Sequence, residues 1–248
     1  MFDQIKCTAV SRSFGRTRAL RSVDLTMRAG ETTALIGPNG AGKTTLVWIL
    51  STVMSPSSGE IRYGDVEHGA ACARLRSCIG VVSHSALVYP QLSAIENLEL
   101  AASLFGVSKG RDRARLLLRE AGLGETAWDR PTATYSAGML QRVAVARALI
   151  HDPLLLLMDE PFAGLDREAS EHLTEVLRGA HDRGKMILLA THDLDRAAML
   201  ADRTAVLVGG RVGRLIDEVV DRRTLASIYA GCVSQRRGRI KAANGEGV

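Results

Sequence analysis

The chain has 248 residues, of which 46% are hydrophobic and 24% charged, and its formal net charge is +5. This balance excludes disorder for most of the chain and allows one large α/β domain with a packed core. No apolar run approaches the ~20 residues that a bilayer requires, and the first residues do not resemble a signal peptide. We therefore expect a cytosolic protein, and because no DNA-reading module is recognisable, we expect no nucleic-acid partner.

Strands are predicted at the start of the chain. Apolar residues alternate near residues 2–10 and 20–27, and Ala29 and Gly30 form a turn after them. A period of two residues is typical of strands with one buried face. We expect these strands to form a small antiparallel β layer.

A phosphate-binding loop follows the apolar run that ends at Ile36. The residues that match such a loop are consecutive: Gly37, Pro38, Asn39, Gly40, Ala41, Gly42, Lys43, Thr44 and Thr45. The glycines let backbone N–H groups approach the β- and γ-phosphates, Lys43 contacts them as a cation, and Thr44 offers a hydroxyl to Mg²⁺. The sequence therefore predicts a protein that binds a nucleoside triphosphate.

Helices dominate the middle of the chain. The pattern is helical from about residue 85 to 150, and Ser93 and Glu96 form a capping box at the start of one helix. Apolar runs that resemble buried strands then return at three places, near residues 154–158, 186–190 and 204–208. Buried strands separated by helices predict a parallel sheet.

The predicted domain organisation follows from these elements. Residues 1–235 are expected to form a single domain, with a helical subdomain at about 85–150. The segment 236–248 is basic, contains Gly and Ala, and shows no periodicity. We expect this tail to be disordered.

Acidic and histidine side chains follow two of the predicted strands. Asp159 and Glu160 come directly after the run at 154–158, and His192 follows the run at 186–190. Ligands of open α/β sheets bind at the carboxyl ends of the strands. We predict that Asp159 belongs to the Mg²⁺ shell, that Glu160 orients and deprotonates the attacking water, and that His192 contacts the γ-phosphate.

The class of phosphate-loop protein is indicated by residues 135–142, Tyr-Ser-Ala-Gly-Met-Leu-Gln-Arg. This segment resembles the signature motif of the ATP-binding cassette (ABC) ATPases, and it precedes Asp159 and Glu160 as in that family. The resemblance covers nearly all of residues 1–216. It implies an α/β fold with a mixed RecA-like core, an antiparallel β subdomain and a helical subdomain.

The same resemblance implies roles for further residues. Phe14 is similar to the aromatic residue that stacks on adenine, and the loop ending at Asp166 to the one that links two subunits. Ser136 and Gly138 would clasp the γ-phosphate of an ATP held by a second subunit. One phosphate loop and one signature per chain also require a two-fold partner to complete each site. We therefore expect a head-to-tail homodimer that hydrolyses ATP.

Two positions differ from the family pattern. His84 stands where the family has a glutamine near Mg²⁺, and Ala137 stands where the family usually has glycine. Both differences resemble the ATP-binding subunits of the haem exporters of cytochrome c biogenesis. The resemblance implies a peripheral translocase subunit on the cytoplasmic face of the cell membrane, bound to a separate permease. Export of drugs, lipids or polysaccharides is the alternative, and a soluble ABC ATPase without a transport role is a third hypothesis.

Overall fold

The computed structural model describes residues 2–69, 72–83 and 87–243. The chain divides into two compact units, which we call the terminal unit (residues 1–71 and 188–248) and the central unit (residues 72–187). The β-strands of the described residues are β1 (Gln4–Phe14), β2 (Thr17–Arg28), β3 (Thr32–Ile36), β4 (Ser58–Tyr63), β5 (Val66–Glu67), β6 (Ile79–Val82), β7 (Leu155–Asp159), β8 (Met186–Thr191), β9 (Arg203–Val208) and β10 (Arg211–Ile216). The α-helices of the same residues are α1 (Lys43–Leu50), α2 (Cys72–Arg76), α3 (Ala94–Leu104), α4 (Gly110–Glu120), α5 (Ala137–Ala148), α6 (Arg167–Asp182), α7 (Leu194–Leu200) and α8 (Arg222–Ala243).

An antiparallel sheet in the terminal unit confirms the predicted β layer. Its strand order is β2-β1-β4-β5, and Ile5 of β1 pairs with Met27 of β2 and with Tyr63 of β4. Ile5, Met27 and Tyr63 are all buried, as one face of such a sheet requires. The β1–β2 hairpin extends further than the apolar alternation predicts, and it turns at Gly15, whose φ is +55°.

The second layer of the terminal unit contains the strand that precedes the phosphate loop. Strand β3 runs parallel to β9, with Ile36 opposite Val206, and β9 pairs antiparallel with β10. Side chains of β3, β9, α7 and α8 pack into one apolar cluster that includes Ile36, Val206, Ala197 and Leu225. This cluster fixes the position at which β3 ends and the phosphate loop begins.

The C-terminal helix differs from the expected disordered tail. Ile228, Tyr229, Cys232 and Val233 of α8 pack against the apolar cluster, so the helix is anchored on the terminal unit. Its backbone remains helical as far as Ala243, and residues 244–248 lie outside the described residues. The packed side chains follow helical spacing, which stabilises the helix despite its basic composition.

The central unit joins a parallel strand pair to a group of helices. Strand β6 runs parallel to β7, with Val82 opposite Met158. The segment predicted to be helical contains α3, α4 and α5, and the capping box of α3 is confirmed. Ser93 Oγ accepts a hydrogen bond from Glu96 N at 3.3 Å, and Ser93 N donates to Glu96 Oε2 at 2.8 Å. These local bonds begin the helical part of the unit as the sequence predicts.

His151 in the central unit is a partly buried histidine that packs against an aromatic ring. Its ring stacks on Phe105 with 3.8 Å between ring centroids, and Nε2 lies 3.1 Å from Ile79 O. The other nitrogen, Nδ1, is buried and has no hydrogen-bond partner among the described residues. Burial lowers the pKa of His151 from 6.5 to about 4. Burial therefore disfavours a proton on this ring in the folded state more than the nearby Asp152 carboxylate favours it.

We expect the unfolding free energy to fall as the pH is lowered from 6.5 to 4. In that window the unfolded chain binds a proton at His151 that the folded chain does not, so acid favours unfolding. Allowing for partial exposure, the loss is about 1–2 kcal/mol. Urea unfolding of His151→Gln at pH 7 and pH 4.5 should show a smaller pH-dependent loss than the wild type. The control His181→Gln, at a half-buried histidine of α6, should keep the wild-type loss. An unchanged loss in His151→Gln would contradict the prediction.

Candidate nucleotide-binding site

The phosphate loop connects a buried strand to a helix, as the sequence predicts. Strand β3 ends at Ile36 and α1 begins at Lys43, with Gly42 as the N-cap at a φ of 107°. Gly42 provides no side-chain acceptor for the first amides of α1. Those amides therefore have no side-chain cap, and together with the helix dipole they favour an anionic ligand.

The glycines of the loop have two different roles. A Cβ at Gly37 would lie 2.2 Å from Leu207 O, and one at Gly42 would lie 2.6 Å from Ala19 O. These two glycines allow the loop to pack tightly on β9 and β2. A Cβ at Gly40 would meet nothing within 4 Å, although its φ of +74° favours glycine. Of the three loop glycines, Gly40 is therefore the one with open space beside its backbone. The close packing of Gly37 and Gly42 is not evident from the sequence.

Polar side chains of the loop are arranged as a phosphate site requires. Lys43 is 6% exposed, and its Nζ donates to Gly37 O at 2.8 Å, which holds the cation against the loop. Thr44 is exposed and Thr45 is half-buried at the start of α1. Hydroxyl oxygens are hard donors of the kind that Mg²⁺ prefers. The residues of the loop therefore suit the triphosphate of a nucleotide, and the Thr44 hydroxyl suits the role of a Mg²⁺ ligand.

The remaining loop residues differ in exposure. Pro38 is half-buried, Asn39 is exposed and Ala41 is buried. The backbone of Ala41 is fixed from the other side, because Gly210 N donates to Ala41 O at 2.9 Å. The turn between β9 and β10 thus supports the loop, a contact that joins distant parts of the sequence.

Two other predicted residues lie in the terminal unit. Phe14 ends β1 and is 45% exposed, so its ring is accessible to a ligand. His192 is exposed directly after β8, and Asp193 beside it caps α7 by accepting bonds from Asp195 N and Arg196 N. The cap fixes the backbone that carries His192. Their roles in nucleotide binding stay predictions.

The acidic pair of the central unit lies at the carboxyl end of β7. Asp159 is its last residue and is 2% exposed, whereas Glu160 is half-buried. Glu160 has a φ of 49°, a left-handed conformation that is uncommon for residues other than glycine. Other residues of the chain, such as Ala9 and Asp152, have the same conformation, so it does not by itself mark a functional site. The role of Glu160 as a general base stays a prediction.

The signature segment begins α5. Ser136 is exposed and caps the helix, since its Oγ accepts from Met139 N at 3.3 Å. Ala137, which differs from the family pattern, is exposed, so its methyl group does not disturb the core. A Cβ at Gly138 would have Ala169 Cβ as its nearest neighbour, at 3.8 Å. The fold of the central unit therefore leaves room for a methyl group at Gly138.

Asp166 has a local structural role that the sequence interpretation missed. Its Oδ1 accepts from Ala169 N at 2.8 Å and caps α6. An aspartate before a helical stretch is a recognised N-cap signal, which was available in the sequence. His84 lies outside the described residues.

These features define a P-loop nucleotide-binding protein. A glycine-rich loop with a buried lysine joins a parallel strand to a helix, and a second parallel pair ends in two carboxylates. The model of the ABC transporter family matches residues 20–163, which is more than half of the chain. The chain belongs to the ABC transporter family, and it contains the ATP-binding domain of that family.

Curated relatives differ in the transport that their names describe. The chain is 31% identical to the linearmycin resistance ATP-binding protein of Bacillus subtilis, over 82% of the chain and 66% of that protein. It is 38% identical to a Nod factor export ATP-binding protein of Bradyrhizobium diazoefficiens, over 96% of the chain and 79% of that protein. It is 32% identical to a sulfate/thiosulfate import ATP-binding protein of Rhizobium meliloti, over 98% of the chain and 68% of that protein. The chain spans slightly less than two thirds of the length of the first of these relatives.

A solved structure confirms the fold. A dimeric ATP-binding cassette in a post-hydrolysis state, bound to ADP and Pi, matches with a TM-score of 0.80 and 29% identity. The match covers 87% of this chain and 99% of the solved chain. The predicted α/β fold, with its mixed sheet, antiparallel subdomain and helical segment, is therefore confirmed. Across residues 2–69, 72–83 and 87–243, every helix falls short of the length and apolar character that a membrane span needs.

Proposed function

We propose that the chain is the ATP-hydrolysing subunit of an ABC exporter and that it powers a separate membrane-spanning permease. The observation that carries this proposal is the complete phosphate loop between β3 and α1 in a member of the ABC transporter family. The names of the antibiotic-resistance and Nod factor relatives support export. The subunit then lies peripherally on the cytoplasmic face of the membrane, held there by its permease.

Each proposed site residue has a distinct chemical task. Lys43 neutralises phosphate charge, and Thr44 and Asp159 supply hard oxygen donors for Mg²⁺. Glu160 accepts a proton from the attacking water. His192 forms a hydrogen bond near the γ-phosphate, and its tautomer decides which ring nitrogen donates. Bound Mg²⁺ offsets negative charge on the phosphates, which is the chemistry it supplies in phosphoryl transfer.

The proposed active form is a homodimer in which each subunit completes the site of the other. Ser136 and Gly138 would contact the γ-phosphate held by the partner, and the loop at Asp166 would join the two subunits. The exposed hydroxyl of Ser136 and the dimeric state of the similar cassette support this arrangement. The proposed ABC domain spans residues 1–235, and the role of His84 near Mg²⁺ remains part of the proposal.

Gly138→Ala should separate the function of the signature from its structure. A methyl group fits inside the subunit, and alanine favours the helix by about 0.5–1 kcal/mol, so stability should stay equal or rise. At a close contact with the partner's ATP the same methyl group should lower the ATPase rate by about tenfold or more. The measurements are urea unfolding and steady-state ATPase activity. Gly231→Ala, in open space on α8, is the matched control and should gain stability without losing activity. Full activity in Gly138→Ala would contradict the signature assignment.

The transported substrate defines two candidate functions. Export of an amphipathic drug, lipid or polysaccharide is the first, because the relatives' names include antibiotic resistance and Nod factor export. Haem export for cytochrome c maturation is the second, and Ala137 in the signature is the described residue that favours it. One relative is named as an import protein, so the direction of transport has to be tested by experiment.

The test is to trap Glu160→Gln with ATP in gently solubilised native membranes and to identify the proteins that co-purify. A permease associated with drugs, lipids or polysaccharides is the expected result. Haem-handling membrane subunits would favour haem export, and a permease with a substrate-binding protein would indicate import. If no membrane protein co-purifies with Glu160→Gln although the wild-type chain hydrolyses ATP, the transport proposal fails and a soluble ABC ATPase is favoured.

A further inference from the structure

Arg12 contacts the exposed ring at the end of β1. Its Cζ lies 4.9 Å from the centroid of the Phe14 ring, within the range of a cation–π interaction. Phe14 remains 45% exposed in this arrangement. The guanidinium therefore covers part of the ring and leaves ring surface accessible to a ligand.

Hydrogen bonds fix Arg12 and the backbone beside Phe14. Arg12 Nη1 donates to Ser55 O at 2.9 Å, and Ser13 N donates to Ser57 Oγ at 3.1 Å. Both bonds connect the end of β1 to the segment that precedes β4. The guanidinium that covers the ring, and the backbone next to Phe14, are therefore held by contacts outside their own strand.

The surroundings of Arg12 in the described part of the chain differ from those of an ordinary surface ion pair. No carboxylate of the described residues forms a salt bridge with it, and its Nε is buried without a hydrogen-bond partner in that part of the chain. Its cation is directed instead to the Phe14 ring and to one backbone carbonyl. Holding a guanidinium in this way costs side-chain entropy and desolvation.

We propose that Arg12 is a positioning residue that holds Phe14 as a preorganised platform for the purine base of the nucleotide. This inference rests on the proposed function, in which Phe14 stacks on adenine. With Arg12 on one side of the ring, a base binds the remaining exposed surface without first having to restrict the side chain. Arg12 thus increases affinity for the base and contributes nothing to the binding of the phosphates.

The test compares ATP with inorganic tripolyphosphate, which has the phosphates but no base. Calorimetric titration of the full chain with Mg²⁺ present measures the dissociation constant of each. Arg12→Met retains much of the apolar stem and removes the cation. We expect it to weaken ATP binding by about two- to fivefold and to leave tripolyphosphate binding unchanged. Arg18→Met removes a charge from the exposed part of the same hairpin and should change neither constant.

A second variant links the effect to the ring. In the Phe14→Leu background, Arg12→Met should cause no further loss of ATP affinity, because its target has been removed. An equal loss for ATP and tripolyphosphate would overturn the inference and assign Arg12 to the phosphates or to folding. The same loss of ATP affinity in the Phe14→Leu background would also overturn it.

Failure of the proposed function gives a different result. If the wild type binds tripolyphosphate and ATP equally and Phe14→Leu changes neither, Phe14 is not a base platform and the role of Arg12 is rejected with it. If the wild type binds neither ligand, the nucleotide-binding proposal itself fails. The inference is tested separately when the wild type binds ATP more tightly than tripolyphosphate and Phe14→Leu weakens ATP binding. Under those conditions, the ATP affinity of Arg12→Met reports on Arg12 itself.

Discussion

Glu160→Gln is expected to lower steady-state ATP hydrolysis by about 10²–10⁴-fold while ATP binding is retained. Glutamine is nearly isosteric with glutamate but cannot accept the proton of the attacking water. Glu160 follows the buried β7 strand in a left-handed conformation, which positions its side chain through the backbone. The change affects the proposed base and leaves the phosphate loop intact. ATPase assays and nucleotide titration measure the two properties separately.

The oligomeric state gives a second measurement on the same variant. ATP held without hydrolysis should keep the proposed dimer closed, so light scattering with ATP should show a larger dimer fraction for Glu160→Gln than for the wild type. Glu168→Gln is a matched control, because Glu168 is exposed in the first turn of α6. It should retain wild-type hydrolysis. A fully active Glu160→Gln enzyme would exclude Glu160 as the general base.

Local sequence signals predicted the parts of the fold that depend on local interactions. Ser93 and Glu96 form their capping box within a few residues, so the start of α3 was predictable from spacing. The apolar run before Asp159 likewise predicted a buried strand and the location of the carboxylate at its end. In both cases neighbouring residues determine the conformation.

Contacts between distant residues were not predictable in this way. Gly37 packs on Leu207 O, and Gly210 N bonds to Ala41 O, because β9 lies beside β3 in the folded chain. A glycine motif alone does not distinguish packing from phosphate contact, so the sequence assigned every glycine to the ligand. The contact between Arg12 and Phe14 depends in the same way on the segment around Ser55.

The C-terminal helix shows a different limit of sequence interpretation. Composition indicated disorder after residue 235, but the side chains that anchor α8 lie before that point and determine the helix that continues through it. Once Ile228 and Tyr229 are packed, each further helical residue adds a backbone hydrogen bond without a new nucleation cost. Composition of the final segment therefore had less influence than the packing of the residues before it.

Lys43→Met is expected to weaken ATP binding by about 10- to 150-fold and to reduce hydrolysis to background. Hydrogen bonds to charged groups contribute about 1.5–3 kcal/mol each, and the variant loses the cation that we propose contacts the phosphates. Methionine retains the apolar stem of the side chain, which is 6% exposed, so the loop should remain packed. Titration with a fluorescent ATP analogue measures the affinity, and urea unfolding measures the stability.

Lys185→Met is the matched control, because it also replaces a buried lysine. Lys185 is 8% exposed, and its Nζ bonds to Asp152 Oδ1 at 2.7 Å in the central unit, away from the phosphate loop in the sequence. Loss of this ion pair in Lys185→Met should lower the free energy of unfolding by about 1 kcal/mol without changing nucleotide affinity. If Lys43→Met bound ATP as tightly as Lys185→Met, the loop would not hold the phosphates through this cation. Because the two variants remove equal charge from buried positions, a difference between them isolates the function of the loop from the cost of removing a buried ammonium group.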